Sequence, residues 1–330
     1  MRTGPRNLIT DVAGVSVGNA HDERIATGVT VALFAPDAVA SVAVTGGAPA
    51  GRDLECLAPE AHVAQVHAIA LSGGSGFGLD SASGVQAWLR ENGRGVAFGN
   101  TIIPIAPQAI CFDLTNGGNK DWGRYPPYRE LAFAACEAAG GEFALGTAGG
   151  GFGATTADLK GGLGSASIVT STGHTVGALV VVNAIGSAVT GGGPHFWAGP
   201  WEIGGEFGGR GAQAHPSTDL VWKGRPLTPA TTIALVATDA KLDKPQAKRM
   251  AIAASGGLSK GLRLAHAIFD GDMVFAASTG KREMKDHAPE LIEICALASD
   301  CLARAIARGV YDATALPFAG ALPAWRDKFG

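Results

Sequence analysis

Short apolar runs separated by glycine-rich breaks dominate the chain, and most of the runs have strand length. Val12 to Phe34 carries β-like runs broken by Gly and by Asn19-Ala20-His21, and ends on Gly28-Val29-Thr30-Val31-Ala32-Leu33-Phe34. Val39–Thr45, Val66–Leu71, Ser165–Thr170 and Val176–Asn183 predict further strands, since short unbroken apolar runs between turn residues fit strands buried on both faces. Ile102 to Leu114 is apolar but interrupted by Pro104 and Pro107, which predicts an edge strand or an irregular segment. Pro229, with no N–H to give, marks the start of a ladder. The run Thr231-Thr232-Ile233-Ala234-Leu235-Val236-Ala237-Thr238-Asp239 then predicts a buried strand with a polar start. Ile268 to Ala276 predicts a turn into another strand.

Helical periodicity appears in four places. Leu79 to Asn92 puts Val85, Trp88 and Leu89 on one face, with Gly93 as a stop. Tyr128 to Ala139 ends at Gly140-Gly141. Asp243 and Gln246 form a capping-box variant around Pro245, opening a helix that runs to about Leu264. Pro289 to Arg308 repeats Ile292, Cys295, Ala298, Leu302 and Ile306 on one stripe, with Gly309 as its stop. Asn116 to Pro127 predicts a loop. The segment Thr190 to Arg225, Gly-rich with Trp197, Trp201 and Trp222, predicts a long surface loop or linker. Strands and helices mix without strict βαβ alternation, which favours a layered α+β fold over a doubly wound sheet.

Composition narrows the function classes. Hydrophobic content of 46% with 17% charged residues predicts a well-buried globular protein in 330 residues. A formal charge of −3 with no basic run argues against nucleic acid or an anionic membrane as partner. Met1 to Thr10 has no apolar core of a secretory signal, and the longest apolar run, Val176 to Ala184, is too short to span a bilayer. Cys56, Cys111, Cys136, Cys295 and Cys301 show no CxxC spacing, so reduced, mostly buried thiols in a cytoplasmic protein are the simplest reading.

Several motifs resolve into packing rather than chemistry. Gly74-Ser75-Gly76-Phe77-Gly78 sits between strand and helix but lacks the spacing of a dinucleotide or phosphate loop, which predicts tight packing and no bound cofactor. Gly257-Leu258-Ser259-Lys260-Gly261 matches G-x-S-x-G, but inside a helix rather than at a strand-to-helix elbow, so Ser259 is not a nucleophile. The eight histidines have no metal-ligand spacing, so no metal is expected. Asp270 and Asp272 share a face if extended, and two such carboxylates repel or share a proton or cation; an ordinary Asp-Gly turn is the plain alternative. Asn183 closes an apolar run as a turn residue or an oxyanion donor, with turn as the default. Lys160, beside Gly161-Gly162, has a solvent-facing position as its default.

In order and spacing, a set of landmarks resembles the self-processing aminopeptidases and amidases that include the L-aminopeptidase/D-amidase-esterases, the β-peptidyl aminopeptidases and the nylon-oligomer hydrolases. These are Asn7 to Val15, Gly46-Gly47-Ala48-Pro49, Leu71 to Asp80, Lys160 to Ser167, Val180-Val181-Val182-Asn183-Ala184, Thr231-Thr232-Ile233 and Phe269 to Ala276. The resemblance implies one catalytic domain over 1–330, a four-layer αββα sandwich, and a precursor that cuts itself between Ala230 and Thr231. It makes Thr231 the N-terminal nucleophile and places the paired acids on Asp270 and Asp272, the oxyanion-type Asn on Asn183 and a supporting Lys on Lys160. It further implies a small peptide or amide substrate with a free amine, and a homo-oligomer of processed heterodimers. Two departures stand out. Ala230 replaces the Asn or Gly that relatives usually carry, and Phe112 sits where some relatives have a Tyr, so that any hydroxyl contribution is lost or comes from Tyr125 or Tyr128. Three readings follow: an aminopeptidase or amidase, an ω-amino-acid oligomer hydrolase on the same nucleophile, or an unprocessed relative that binds a small ligand.

Overall fold

The computed structural model describes residues 1–224 and 228–330. In chain order its strands are β1 Val15–Asp22, β2 Thr27–Val44, β3 Gly51–Arg52, β4 Val66–Ser72, β5 Val96–Phe98, β6 Thr101–Ile103, β7 Gln108–Ile110, β8 Gly162–Val169, β9 Thr175–Asn183, β10 Thr231–Ala240 and β11 Met273–Arg282. Its helices are α1 Ser81–Glu91, α2 Tyr128–Glu137, α3 Lys244–Gly261, α4 His287–Tyr311 and α5 Trp325–Phe329. Strand β2 links two sheets. Its first half pairs with β1 and β4, its register breaks between Leu33 and Ala38, and its second half pairs with β11. Pro36, which cannot donate to a ladder, lies inside that break. The full order is β3-β7-β4-β2-β11-β10-β9-β8, with β1 on β2.

The period of two along each strand creates the layers. On β10, Ile233, Leu235 and Ala237 face the other sheet, whereas Ala234 and Val236 face α3 and α4. Strand β9 divides Leu179 and Val181 from Ala178, Val180 and Val182 in the same way. On β4, Ile69 and Leu71 face inward and Ala68 and Ala70 meet α1 and α2. Helix pair, sheet, sheet, helix pair: this is the αββα sandwich, and burial on both faces explains why these strands read as continuous apolar runs.

The Asp243 capping box forms as its spacing implies, with Asp243 Oδ1 accepting from Gln246 N at 2.8 Å and Gln246 Oε1 accepting from Asp243 N at 2.9 Å. Helix α4 departs from the expected stripe. Ile292 is 70% exposed, and Ile294, Leu297, Cys301 and Ala305 join Ala298, Leu302 and Ile306 in the core, because the helix is wedged between α3 and β8 and buries a wider face. The linker expected over Thr190 to Arg225 is also corrected, as far as the described residues reach; Arg225 lies outside them. Phe196, Ala198 and Phe207 belong to the core, where Phe196 stacks on Trp325 at 5.5 Å. Pro104 and Pro107 do break their segment, yet Gln108–Ile110 recovers as β7, buried between β3 and β4.

Glycines let α4 lie directly on β8. A Cβ at Gly164 would come 1.8 Å from Ala305 O, and one at Gly162 would come 2.3 Å from Gly309 O. Gly164→Ala is therefore expected to push α4 off the sheet and to destabilise the fold by about 2–3 kcal/mol, read as a lowered denaturation midpoint. An unchanged midpoint would mean that the helix can shift freely, against the packing described here.

Candidate active site

Strands β9, β10 and β11 bring their polar ends to one rim of the sheet. The antiparallel register of β9 and β10 sets Thr231 opposite Asn183. The parallel neighbour arrives through an isolated bridge between Ala230 and Asp270. Phe269 O accepts from Ala230 N at 3.1 Å, and Gly271 N donates to Ala230 O at 3.1 Å. Thr231, Asn183, Asp270 and Asp272, distant in sequence, thus meet in space and are all buried.

The Thr231 hydroxyl donates to the carbonyl of Ala230, the residue before it, and accepts from Gly271 N at 3.2 Å. One main-chain N–H therefore touches both the Ala230 carbonyl and the hydroxyl beside it. Gly271 must be glycine for this approach: a Cβ there would meet Thr231 Oγ1 at 2.7 Å and Ala48 O at 2.8 Å. The Gly46-Gly47-Ala48 loop closes the other side. Ala48 N donates to Asp270 O at 2.8 Å, and a Cβ at Gly46 would lie 2.3 Å from Asp272 N. Spacing alone could not reveal that this loop braces the Asp-Gly-Asp segment.

The two acids are not equivalent. Asp272 is fully engaged: its Oδ1 accepts from Thr232 N and its Oδ2 from His266 N, each at 2.8 Å. Asp270 Oδ1 is buried without a hydrogen-bond partner among the described residues. Burial, followed by the charge of Asp272, pushes the Asp270 carboxyl up to about 7, against the opposing pull of the Ala267 and Ile185 N–H groups and Lys223. Of the outcomes open to a one-faced acid pair, the effect seen on Asp270 is the repulsive one, since the charge of Asp272 adds to burial in holding its proton.

Asn183 is held on three sides. Its Oδ1 accepts from Thr155 N at 3.0 Å and from Lys223 Nζ at 3.4 Å, and its Nδ2 donates to Phe112 O at 2.8 Å. Both nitrogens facing Oδ1 can only donate, which fixes the orientation of the amide. Phe112 thus contributes its carbonyl. Tyr125 is exposed and Tyr128 lies buried beneath Gly74, and among the described residues neither hydroxyl hydrogen-bonds Thr231, Asn183 or the aspartates.

Lys160 is buried rather than solvent-facing. Its Nζ donates to the carbonyls of Gly151, Ala154 and Gly161 at 2.9–3.1 Å, three acceptors for the three donors of an ammonium. Burial pushes its amine down to about 7. The grip on Ala154 fixes the turn whose next N–H, from Thr155, holds Asn183, so Lys160 reaches the cluster through that loop. Ser259 is exposed on α3, and Gly74 packs against the Tyr128 ring, as anticipated.

Sequence reasoning missed Lys223, which carries no motif and sits in the stretch read as a loop. It is half-buried, and burial pushes its amine down to about 8, with Cys111 and Asp270 opposing that shift. Lys223, Phe112 and Thr155, all partners of Asn183, line one cleft of about 410 Å³. Among the described residues no group of three or more His, Cys, Asp or Glu could hold a metal ion.

The model of peptidase family S58 matches residues 7–321. An uncharacterized aminopeptidase of Mycobacterium tuberculosis is 41% identical over 350 residues, covering 98% of this chain and 98% of the relative. A 6-aminohexanoate-oligomer endohydrolase of Paenarthrobacter ureafaciens is 28% identical over 297 residues, covering 86% and 78%. The solved L-aminopeptidase D-Ala-esterase/amidase of Ochrobactrum anthropi, described as a variant of the Ntn hydrolase fold, superposes with a TM-score of 0.73 at 20% identity over 98% and 92% of the two chains. With the family model covering nearly its whole length, the chain belongs to peptidase family S58 and is a hydrolase of the aminopeptidase and amidase type.

Proposed function

We propose that Thr231 becomes an N-terminal nucleophile when the chain cuts itself between Ala230 and Thr231, and that the mature enzyme hydrolyses amide bonds of small substrates bearing a free amine. The supporting observation is the Thr231 hydroxyl bonded to the Ala230 carbonyl, with the Gly271 N–H on that same carbonyl oxygen. Attack of Oγ on the carbonyl carbon forms a C–O bond and puts negative charge on Ala230 O, which the Gly271 N–H stabilises. The hydroxyl proton passes to a base, and Asp270 has the acidity for that work near neutral pH. The C–N bond then breaks, the nitrogen takes up a proton, and an ester links Ala230 to Thr231 Oγ. Water hydrolyses the ester, leaving a carboxylate on Ala230 and a free amine on Thr231. The small Ala230 side chain takes no part in these steps, so its departure from Asn or Gly does not block them.

In turnover the same hydroxyl attacks the substrate amide, with its own α-amine as base, since such amines titrate near neutrality. Asn183 holds one N–H on Phe112 O and has a second to offer the developing oxyanion. Asp272, already on Thr232 N, steadies the start of the strand that would carry the new N-terminus. The test is a denaturing gel with intact mass: fragments 1–230 and 231–330 are expected. A single 33.3 kDa species that still turns over substrate would sink the proposal. Similarity to the oligomer endohydrolase favours a second substrate reading, and a 6-aminohexanoate oligomer set against an L-aminoacyl anilide separates the two.

A further inference from the structure

The cleft lined by the three partners of Asn183 has a polar wall and, among the described residues, one cationic side chain that the chemistry above leaves unused. Thr115, Asn116, Thr155 and Thr156 line it, and Lys223 is the only cationic side chain among the described residues that do. Asp113 is its one acid, but both Asp113 oxygens are turned away, onto Gly74 N at 2.8 Å and Thr27 Oγ1 at 2.7 Å. Among the described residues the one hydrogen bond of Lys223 Nζ is the long contact of 3.4 Å to Asn183 Oδ1. Thr155 N already holds that oxygen at 3.0 Å, so pinning Asn183 does not require the lysine. An ammonium with two donors unpartnered among the described residues, in a half-buried wall, is poorly satisfied unless an anion joins it.

We propose that Lys223 is a specificity-determining residue that receives the terminal carboxylate of the substrate, so that the enzyme favours short peptides ending one residue or so past the scissile bond. The assignment rests on the amide hydrolysis at Thr231 proposed above, because Phe112, Thr155 and Lys223 of the cleft wall all hydrogen-bond Asn183. A cleft of about 410 Å³ is in the range of small-ligand sites, ~300–1,000 Å³, and suits a short peptide rather than a polypeptide. Thr115 and Thr155 can hydrogen-bond the peptide unit that leads to the carboxylate, whereas Asn116 is held by Ala26 O and Gly153 O and the Thr156 hydroxyl by Leu159. Asp270 exerts only part of a charge on Lys223, since its own carboxyl is held near neutrality.

The experiment compares L-alanyl-L-alanine with L-alanyl-L-alaninamide on the processed enzyme, as substrates and as ligands in thermal shift. The wild type is expected to prefer the free acid by about 10- to 100-fold in kcat/KM, mainly through KM, the usual worth of a hydrogen bond to a charged group. Lys223→Met collapses the preference toward one, and Lys223→Arg keeps it. Lys223→Gln, which retains length and polarity, gives the same reading should the Met variant not fold. Equal handling of acid and amide by the wild type, or a preference that survives in Lys223→Met, overturns the assignment. A processed, active enzyme without the preference counts against Lys223 alone. A preference shown by an enzyme that never cuts itself leaves Lys223 standing and counts against Thr231.

Discussion

Thr231→Ala is expected to remain a single chain and to lose amide hydrolysis by on the order of 10⁴-fold or more, because removing a covalent nucleophile removes the whole acyl-transfer route. The substitution deletes the hydroxyl on the Ala230 carbonyl, which is also one of the two acceptors of Gly271 N, so both the cut and the later chemistry lose their attacking atom. Thr231→Ser keeps the hydroxyl and should still give fragments 1–230 and 231–330. Thr232→Ala is the informative neighbour. Successive strand residues point to opposite faces, and Thr232 Oγ1 is buried without a hydrogen-bond partner among the described residues, so its removal should leave processing intact. Mass spectrometry of the three variants reads the result directly. Cleavage in Thr231→Ala, or its loss in Thr232→Ala alone, would move the nucleophile by one residue.

The strands and the layered α+β class were legible because burial on both faces writes itself into sequence as unbroken apolar runs, and β9, β10 and β11 all do so, whereas the four-layer sandwich came from the family resemblance. The polar ends of those runs made Asn183, Thr231, Asp270 and Asp272 visible only as turn or strand-start residues, and it was the family resemblance that gave them roles. Side chains whose role depends on another segment were not legible. Lys160 looked like a surface lysine beside two glycines, and only the fold brings three carbonyls around it. Lys223 lies far in sequence from Phe112 and Thr155, the cleft partners that give it meaning. The Trp-rich stretch read as a linker because its core residues, Phe196 and Phe207, are separated by glycines that hide any period. Local pattern reports a residue's own element and is silent about what packs against it.

Asp270→Asn should produce the second large effect, on activity and on the pH dependence of stability together. The ordinary carboxyl value is 3.8 and the folded protein holds Asp270 at about 7, so between those values the folded state binds more protons than the unfolded one. Stabilisation from the protonated carboxyl is complete below about 3.8, falls as pH rises, and is gone above about 7. Asparagine carries no charge at any pH. Relative to the wild type, Asp270→Asn should therefore gain stability as pH is raised from 4 to 7, by a few kcal/mol, with the difference level above that. Denaturant titrations at several pH values follow this directly, and a difference that does not change with pH would show that Asp270 is ionised throughout. Activity should move the other way. If the ionised carboxylate takes the proton, wild-type processing accelerates as pH passes through about 7, and Asp270→Asn slows it by ~10²–10⁴-fold and abolishes that pH step. An acid buried beside a second acid costs stability at neutral pH, and here the cost falls on Asp270, whose Oδ1 has no hydrogen-bond partner among the described residues, whereas Asp272 is satisfied by two N–H groups. Destabilisation concentrated on Asp270 rather than Asp272 is what the proposed proton-transfer role predicts, since a group kept only to hold the strands together would be hydrogen-bonded like its neighbour.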